Sequence, residues 1–325
     1  MKSRLVWMVA TGLALAAIFL IFVQASSLLA LAPDDTDVVS ESDSEVQNDP
    51  KAEPVENSLQ PVYVRTISEY GSGTTRKLRL GGTSQPNAVL TLLNQNERMR
   101  QLKVDENGLW QAELDFDSNA SLVLEAIMFV EDGPSVRGDE TIYRLPVPTS
   151  PDSDSGAALF SRPALIMVSA PGGPTRIVQS PFGGSPTSGP LTMGPIDYDD
   201  SGGVIFSGTT EDEGRVRIYA GGAVVGETRV DAGGRWNFIA GNLLPRGEYS
   251  VAAELIRAND ERVRVTVPFA LLPPVEDSAV TDTGFPTVIF EPFRWQVRRR
   301  LLGGGAQTTV IFAPDDSGGI IVQAP

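Results

Sequence analysis

The sequence predicts a mainly β protein with two similar sandwich modules, one N-terminal transmembrane helix and a small α+β segment at the C-terminus. Three observations predict this arrangement. A long apolar run lies close to the N-terminus, and a gapless repeat recurs 126 residues further along the chain. Most of the remaining chain consists of short alternating apolar runs separated by Gly, Asp and Asn, a pattern typical of strands and tight turns.

Residues 1–32 are expected to form a membrane anchor. Lys2 and Arg4 precede an uncharged run from Leu5 to Val23, 19 residues that can span a hydrocarbon core about 30 Å thick as a helix. Positive charge prefers the cytoplasmic side, so the rest of the chain is expected on the far side of the membrane after a single pass. Signal-peptide cores are usually shorter, about 7–15 residues. Cleavage after Ala25 nevertheless stays open as an alternative.

Composition restricts the chemistry that this chain can perform. Its 325 residues contain no cysteine and no histidine, which excludes disulfides, cysteine-ligated zinc and a Ser-His-Asp triad. Composition does not exclude catalysis by a pair of carboxylates, but the sequence singles out no such pair among the 41 acidic residues. The net charge of −15 argues against nucleic acid as a partner. We therefore expect no enzymatic activity, no cofactor and no metal site.

The repeat defines the two modules. Each copy begins with Gly-Thr, continues through an alternating strand, a turn and a second strand, and ends with Val-Asp-x-x-Gly-x-Trp, at 104–110 and again at 230–236. Asp105 and Asp231 are expected to open turns by accepting backbone N–H bonds, and the glycine that follows each is expected in the left-handed region. Trp110 and Trp236 then begin the next strand and are expected to fill a sandwich core.

Each copy extends into a module of roughly 80 residues and about seven strands, at 62–146 and 192–270, which suits an immunoglobulin-like sandwich. With its Val-Asp-x-x-Gly-x-Trp turn, the unit resembles the bacterial immunoglobulin-like repeats of envelope and surface proteins. Three linkers separate the parts: an acidic linker at 33–61 predicted to be disordered, a linker with a small β-hairpin at 147–191, and a linker at 271–286.

Residues 287–325 differ from both modules. A strand at Thr287–Phe290 is followed by Phe293, Val297 and Leu301, whose spacing predicts a short helix that ends at Gly303–Gly305. Trp295 and the Gly303-x-Gly305 pair make this segment resemble a LysM module, the small unit that binds peptidoglycan glycan. The departures, such as Leu302 and Pro314 in place of family residues, indicate a degenerate member. The resemblance implies glycan contact near Trp295, Gly303 and Thr308.

The order of these parts resembles bacterial envelope proteins with an anchor, immunoglobulin-like repeats and a C-terminal LysM module. That resemblance implies a non-enzymatic, membrane-anchored periplasmic tether or spacer, with its single pass in the inner membrane, that binds peptidoglycan through its C-terminal segment. The alternative is a scaffold that binds envelope proteins through exposed strand edges and contacts no glycan. The basic cluster Arg294–Arg300 has two interpretations, a solvated face and a contact for an acidic polymer or lipid.

Overall fold

The structure is a computed structural model that describes residues 59–131, 133–147, 163–182, 190–274, 285–290, 294–301, 305–313 and 320–321. The chain divides into two units, Met1–Asn57 and Ser58–Pro325, and all described residues belong to the second. The predicted anchor and nearly all of the acidic linker therefore lie outside the described residues. Within the part that is described, no helix is long and apolar enough to cross a membrane.

The prediction of a mainly β protein is confirmed across the described ranges, where every element is a strand. The first module pairs its strands into a three-stranded sheet, β1-β2-β5, and a facing sheet that begins β4-β3-β6-β7. Its strands are β1 (Tyr63–Tyr70), β2 (Thr75–Thr83), β3 (Val89–Asn94), β4 (Glu97–Lys103), β5 (Leu109–Asp117), β6 (Leu122–Phe129) and β7 (Ser135–Leu145). Leu78, Leu90 and Leu124 fill the core between the two sheets.

The second module repeats this order, with β14-β11-β10 in one sheet and β13-β12-β15-β16 in the other. Between them lies a second core that includes Phe206, Ile218 and Phe269. Its strands between 192 and 271 are β10 (Thr192–Asp199), β11 (Val204–Thr209), β12 (Arg215–Ala220), β13 (Ala223–Arg229), β14 (Arg235–Gly241), β15 (Gly247–Ile256) and β16 (Arg262–Leu271).

The predicted repeat is confirmed at its turn. Asp105 Oδ1 accepts the backbone N–H groups of Asn107 (2.9 Å) and Leu109 (2.7 Å). In the second module Asp231 Oδ1 accepts the backbone N–H groups of Gly233 (2.8 Å) and Arg235 (2.9 Å). The glycine that closes each turn has a positive φ, 77° at Gly108 and 71° at Gly234. The two halves of the repeat therefore share one turn geometry as well as one sequence.

Each repeat tryptophan lies against a glycine on the neighbouring strand. A Cβ at Gly82 would come within 2.8 Å of the Trp110 ring and 1.9 Å of the Tyr63 carbonyl oxygen. At Gly208 the corresponding distances are 2.4 Å to the Trp236 ring and 2.1 Å to a backbone oxygen. Only glycine lets strand and ring approach so closely, which explains why the Gly-Thr step and the tryptophan recur together.

Both modules carry additional strands. The hairpin of β8 (Leu165–Ser169) and β9 (Arg176–Gln179) joins the first module, because β8 pairs with β7. In the second module β19 pairs with the edge of β10, and the sheet continues β19-β18-β17. The C-terminal strands are β17 (Thr287–Phe290), β18 (Arg294–Arg300), β19 (Ala306–Phe312) and β20 (Ile320–Ile321), and β20 pairs with β16.

The prediction of a short helix after Pro292 is wrong. Residues Arg294–Arg300 form the strand β18, which is hydrogen-bonded to β17 on one side and β19 on the other. Alternate residues Trp295, Val297 and Arg299 are each at most 4% exposed, so a period of two fits the burial better than the i, i+4 spacing of the apolar residues. The α+β description of this segment is therefore replaced by an all-β one for its described residues.

Candidate functional site

A third core lies between the outer face of the first module's larger sheet and the C-terminal strands. Its buried members come from β6, β7 and β8 on one side and from β18 and β19 on the other: Val123, Tyr143, Leu145, Leu165, Met167, Trp295, Val297 and Ile311. Apolar burial on this scale is the usual origin of a stable contact between domains. The C-terminal strands therefore belong to the second module by strand pairing and to the first by packing.

Trp295 lies inside this third core. Its side chain is 4% exposed and makes edge-to-face contacts with Phe290, at 4.6 Å between ring centroids, and with Phe182, at 5.6 Å. These distances are in the range of favourable aromatic pairs. A ring in this position supports packing and presents no open face on which a sugar can stack.

Thr308, the second predicted glycan contact, is not brought together with Trp295 on a surface. Thr308 is 4% exposed and lies on the opposite face of the sheet, hydrogen-bonded to the side chain of Tyr198. Gly303 lies outside the described residues. Glycan contact through Trp295 or Thr308 would require the C-terminal strands to separate from the modules.

The arginines of β18 have different surroundings. Arg298 pairs with Asp200 at 2.9 Å, while Arg300 is exposed. Arg299 is only 3% exposed, and its guanidinium donates to four side chains: Thr309 at 2.5 Å, Gln307 at 2.9 Å, Thr175 at 3.1 Å and Ser169. The basic cluster of the sequence is thus divided between a buried structural group and the surface.

Asp197 is the anionic counterpart of Arg299. It is fully buried, and its carboxylate accepts the backbone N–H of Thr175 at 2.7 Å, the Thr175 hydroxyl at 2.7 Å and the Thr309 hydroxyl at 2.5 Å. The guanidinium and the carboxylate are 3.9 Å apart, and the two threonine hydroxyls connect them by accepting from Arg299 and donating to Asp197. Every group in this network thereby has a partner, as a buried charge requires.

This polar network joins three parts of the chain. Ser169 and Thr175 belong to the β8–β9 hairpin, Asp197 to the second module, and Arg299 to the C-terminal strands. Burial raises the pKa of the Asp197 carboxyl above its ordinary value, against the opposing effect of Arg299 and the threonine hydroxyls. The network makes the junction specific, because a shifted register of β18 or β10 would leave buried charges without partners.

Sequence analysis did not single out this network. Asp197 stands in an Asp-Tyr-Asp-Asp run that reads as a turn, and Arg299 stands in a run of three arginines that reads as a solvated face. The strand alternation of β18 was the one signal available, since it places Arg299 on the same face as Trp295 and Val297.

Several surface carboxylates are engaged in cross-strand pairs, among them Glu113, Glu125 and Glu227. Glu113 contacts Lys77 at 2.6 Å, and its pKa is lowered to about 2 by hydrogen bonds from Lys77 and Tyr70. Such a group stays ionised at neutral pH and is unsuited to donating a proton. Asp199 accepts the backbone N–H groups of Ser201 and Gly203, which makes its segment a turn. Among the described residues, no three acidic, histidine or cysteine side chains are grouped to hold a metal ion.

Together these features define a β-rich protein with a repeated module and a C-terminal segment that joins the two copies. No protein-family model matches the chain, and no curated protein matches it. A solved structure of a Ca²⁺-stabilised adhesin that helps an Antarctic bacterium bind ice is similar over 75% of this chain and 91% of that chain. The identity is 14% and the TM-score is 0.19, so this likeness carries no argument about fold or function.

Proposed function

We propose that this protein is a non-enzymatic, membrane-anchored periplasmic spacer whose two modules are held in a fixed arrangement by its own C-terminal strands. The observation that carries the proposal is the third core, in which Trp295, Val297 and Ile311 pack against Tyr143 and Met167 of the first module. A flexible tether needs no such core. A spacer that must keep a defined distance does, because domains joined only by a linker move relative to one another.

Strand order supports an immunoglobulin-like identity for both modules. In each, the first, second and fifth strands form one sheet, and the fourth, third, sixth and seventh form the other. The orders 1-2-5 and 3-6-7 are shared with immunoglobulin-type sandwiches, whereas the fourth strand pairs here with the third and not with the fifth as in the constant-type domain. Such modules are common spacing and interaction units, although the fold alone does not specify a role.

A protein-interaction scaffold is the second candidate, and one observation favours it over a peptidoglycan tether. The side chains of Trp295 and Thr308, on which glycan contact was expected, are buried. Among the described strands, β4, β5, β13 and β14 each end a sheet. Partner proteins can add a strand to edges of this kind. We therefore propose spacing and protein contact as the function, with no glycan site at Trp295.

Membrane attachment is tested on the full chain in a Gram-negative host. We expect it in the inner-membrane fraction, resistant to carbonate extraction, at its full mass, and digested by protease only after the outer membrane is opened. Recovery of a shortened chain in the soluble periplasmic fraction would show that the leading segment is a cleaved signal. Recovery of the intact chain in the cytosol would refute the localisation altogether.

Fixed spacing is tested by distance measurement between spin labels, which is straightforward because the chain has no native cysteine. One label is placed at the exposed Glu97 of β4 and the other at the exposed Arg229 of β13. We expect one narrow distance distribution, and a broad one after Val297→Asp introduces a charge into the third core. Leu243→Asp, at a position 65% exposed, serves as the control that leaves the distribution unchanged. A broad distribution in the unmodified chain would refute a fixed spacer.

A further inference from the structure

The edge of β10 is completed by a strand from the C-terminal segment. β19 pairs with β10 through Ile196↔Val310 and Asp197↔Thr309, and Val310 enters the second core at 2% exposure. The part of β19 that pairs with β10 is Gln307–Val310, and its last two residues begin the sequence Thr-Val-Ile-Phe at 309–312. In this protein, a strand with this Thr-Val step therefore already pairs with the first strand of a sandwich module.

The same tetrapeptide occurs a second time, as the whole of β17 at 287–290. β17 and β19 flank β18 on opposite sides, but β17 ends the sheet, and among the described residues no strand pairs with its other edge. Two of its side chains are exposed, Ile289 at 53% and Phe290 at 42%. An uncharged edge strand with exposed β-branched and aromatic residues is a template for pairing with another chain.

The first module has an unfilled counterpart of the β10 edge. Register within the modules makes β1 equivalent to β10, because Ile67 pairs with Leu80 as Ile196 pairs with Phe206. The stretch of β10 that receives β19, Ile196–Asp199, therefore corresponds to Ile67–Tyr70 of β1. In the described structure β1 ends its sheet, and Thr66 and Ser68 beside this edge are exposed.

We propose that β17 of one molecule pairs antiparallel with β1 of a second copy, as β19 pairs with β10 within the molecule. The two edges are different surfaces, so the contact is heterologous and leaves a free β1 and a free β17 at the ends of every pair. Copies therefore join head to tail. Transfer of the β10–β19 register places Ile67 of one copy opposite Val288 of the other, and Thr66 opposite Ile289.

The contact is limited by its length. β17 has four residues and is preceded by Pro286, whose ring supplies no N–H for a ladder. Val64, at the start of β1, already has its backbone N–H bonded to Glu140 (2.8 Å) and its carbonyl oxygen bonded to Arg176 (3.4 Å). In the transferred register β17 lies opposite residues 65–68, directly after Val64, so pairing is limited to these four residues and is expected to depend on protein concentration.

Two single-cysteine variants of the full chain, Thr66→Cys and Ile289→Cys, test the proposal in detergent solution under mild oxidation. We expect a disulfide-linked dimer when the variants are mixed, at a rate about tenfold above that of Thr66→Cys mixed with Val224→Cys, because pairing raises the effective thiol concentration. Val224 lies on another edge strand, β13, and is 60% exposed. Dimers from Thr66→Cys alone or Ile289→Cys alone, as fast as from the mixture, would overturn the head-to-tail arrangement.

Oligomer size provides an independent measurement that needs no cysteine. The unmodified chain should form dimers and longer multiples as its concentration rises, and Ile289→Lys should shift it to the monomer, because a charged edge residue blocks strand pairing. Val224→Lys is the matched control and should leave the distribution unchanged. A chain that stays monomeric at the highest attainable concentration would overturn the proposal, whether or not the protein is a spacer in the membrane.

Discussion

Removal of the buried cation at the junction should open the C-terminal strands. Arg299→Met keeps an unbranched side chain of similar length but deletes four donated hydrogen bonds and leaves the Asp197 carboxyl, 0% exposed, without its counter-charge. Breaking a buried pair from one side costs about 3–5 kcal/mol, most of it the penalty for the stranded partner. We expect a loss of that size in the free energy of opening β18 and β19.

Hydrogen–deuterium exchange measures this local opening directly, with β2 of the first module as an internal reference. Arg300→Met is the matched control, because the Arg300 side chain is next to Arg299 in sequence but exposed. It should change the opening free energy by less than about 0.5 kcal/mol. In the double variant Arg299→Met with Asp197→Asn, the loss of opening free energy should be smaller than the sum of the two single-variant losses by about 1–3 kcal/mol. An effect of Arg299→Met as small as that of the control, or fully additive losses, would refute the paired network.

Three further outcomes follow. Asp197 ionises near pH 3.9 when unfolded, and burial raises its pKa in the fold. At this site the folded state therefore holds more protons than the unfolded state in that window, and Asp197 contributes an unfolding free energy that falls as pH rises through it; the stability of the unmodified chain relative to Asp197→Asn, measured from urea midpoints, should fall over that range. Gly208→Ala should lower stability in thermal unfolding by about 1–3 kcal/mol, because the added Cβ would lie 2.1 Å from a backbone oxygen. Gly173→Ala is the control and should leave stability unchanged, because the nearest atom to its Cβ would be 3.6 Å away. Trp295→Ala should destabilise the third core by about 3–5 kcal/mol without changing retention on purified peptidoglycan; reduced retention would restore the glycan hypothesis.

The modules were predictable because their determinants are local. Asp105 and Gly108 specify a turn through bonds that span four residues, and Gly221 and Gly222 both have the positive φ that a tight hairpin demands. The mainly β class followed from the same short patterns. Because the pattern from Gly-Thr to Val-Asp-x-x-Gly-x-Trp occurs in full a second time, the second module could be predicted from its own residues.

The C-terminal segment was harder because its determinants are distant. Phe293, Val297 and Leu301 suit one face of a helix, whereas Trp295, Val297 and Arg299 suit one face of a strand, and the sequence alone does not choose between the two periods. The choice depends on β10 and on the first module's outer face, which lie about 100 residues or more away in sequence. Long-range contacts therefore overrode a local preference.

The same distance has a consequence for biogenesis. β10 is synthesised about a hundred residues before β19, the strand that completes its edge. The first sandwich can close while synthesis continues, but the second keeps an unpaired, aggregation-prone edge until β19 has been made. A product that lacks β19 would therefore expose the β10 edge to pairing with other chains.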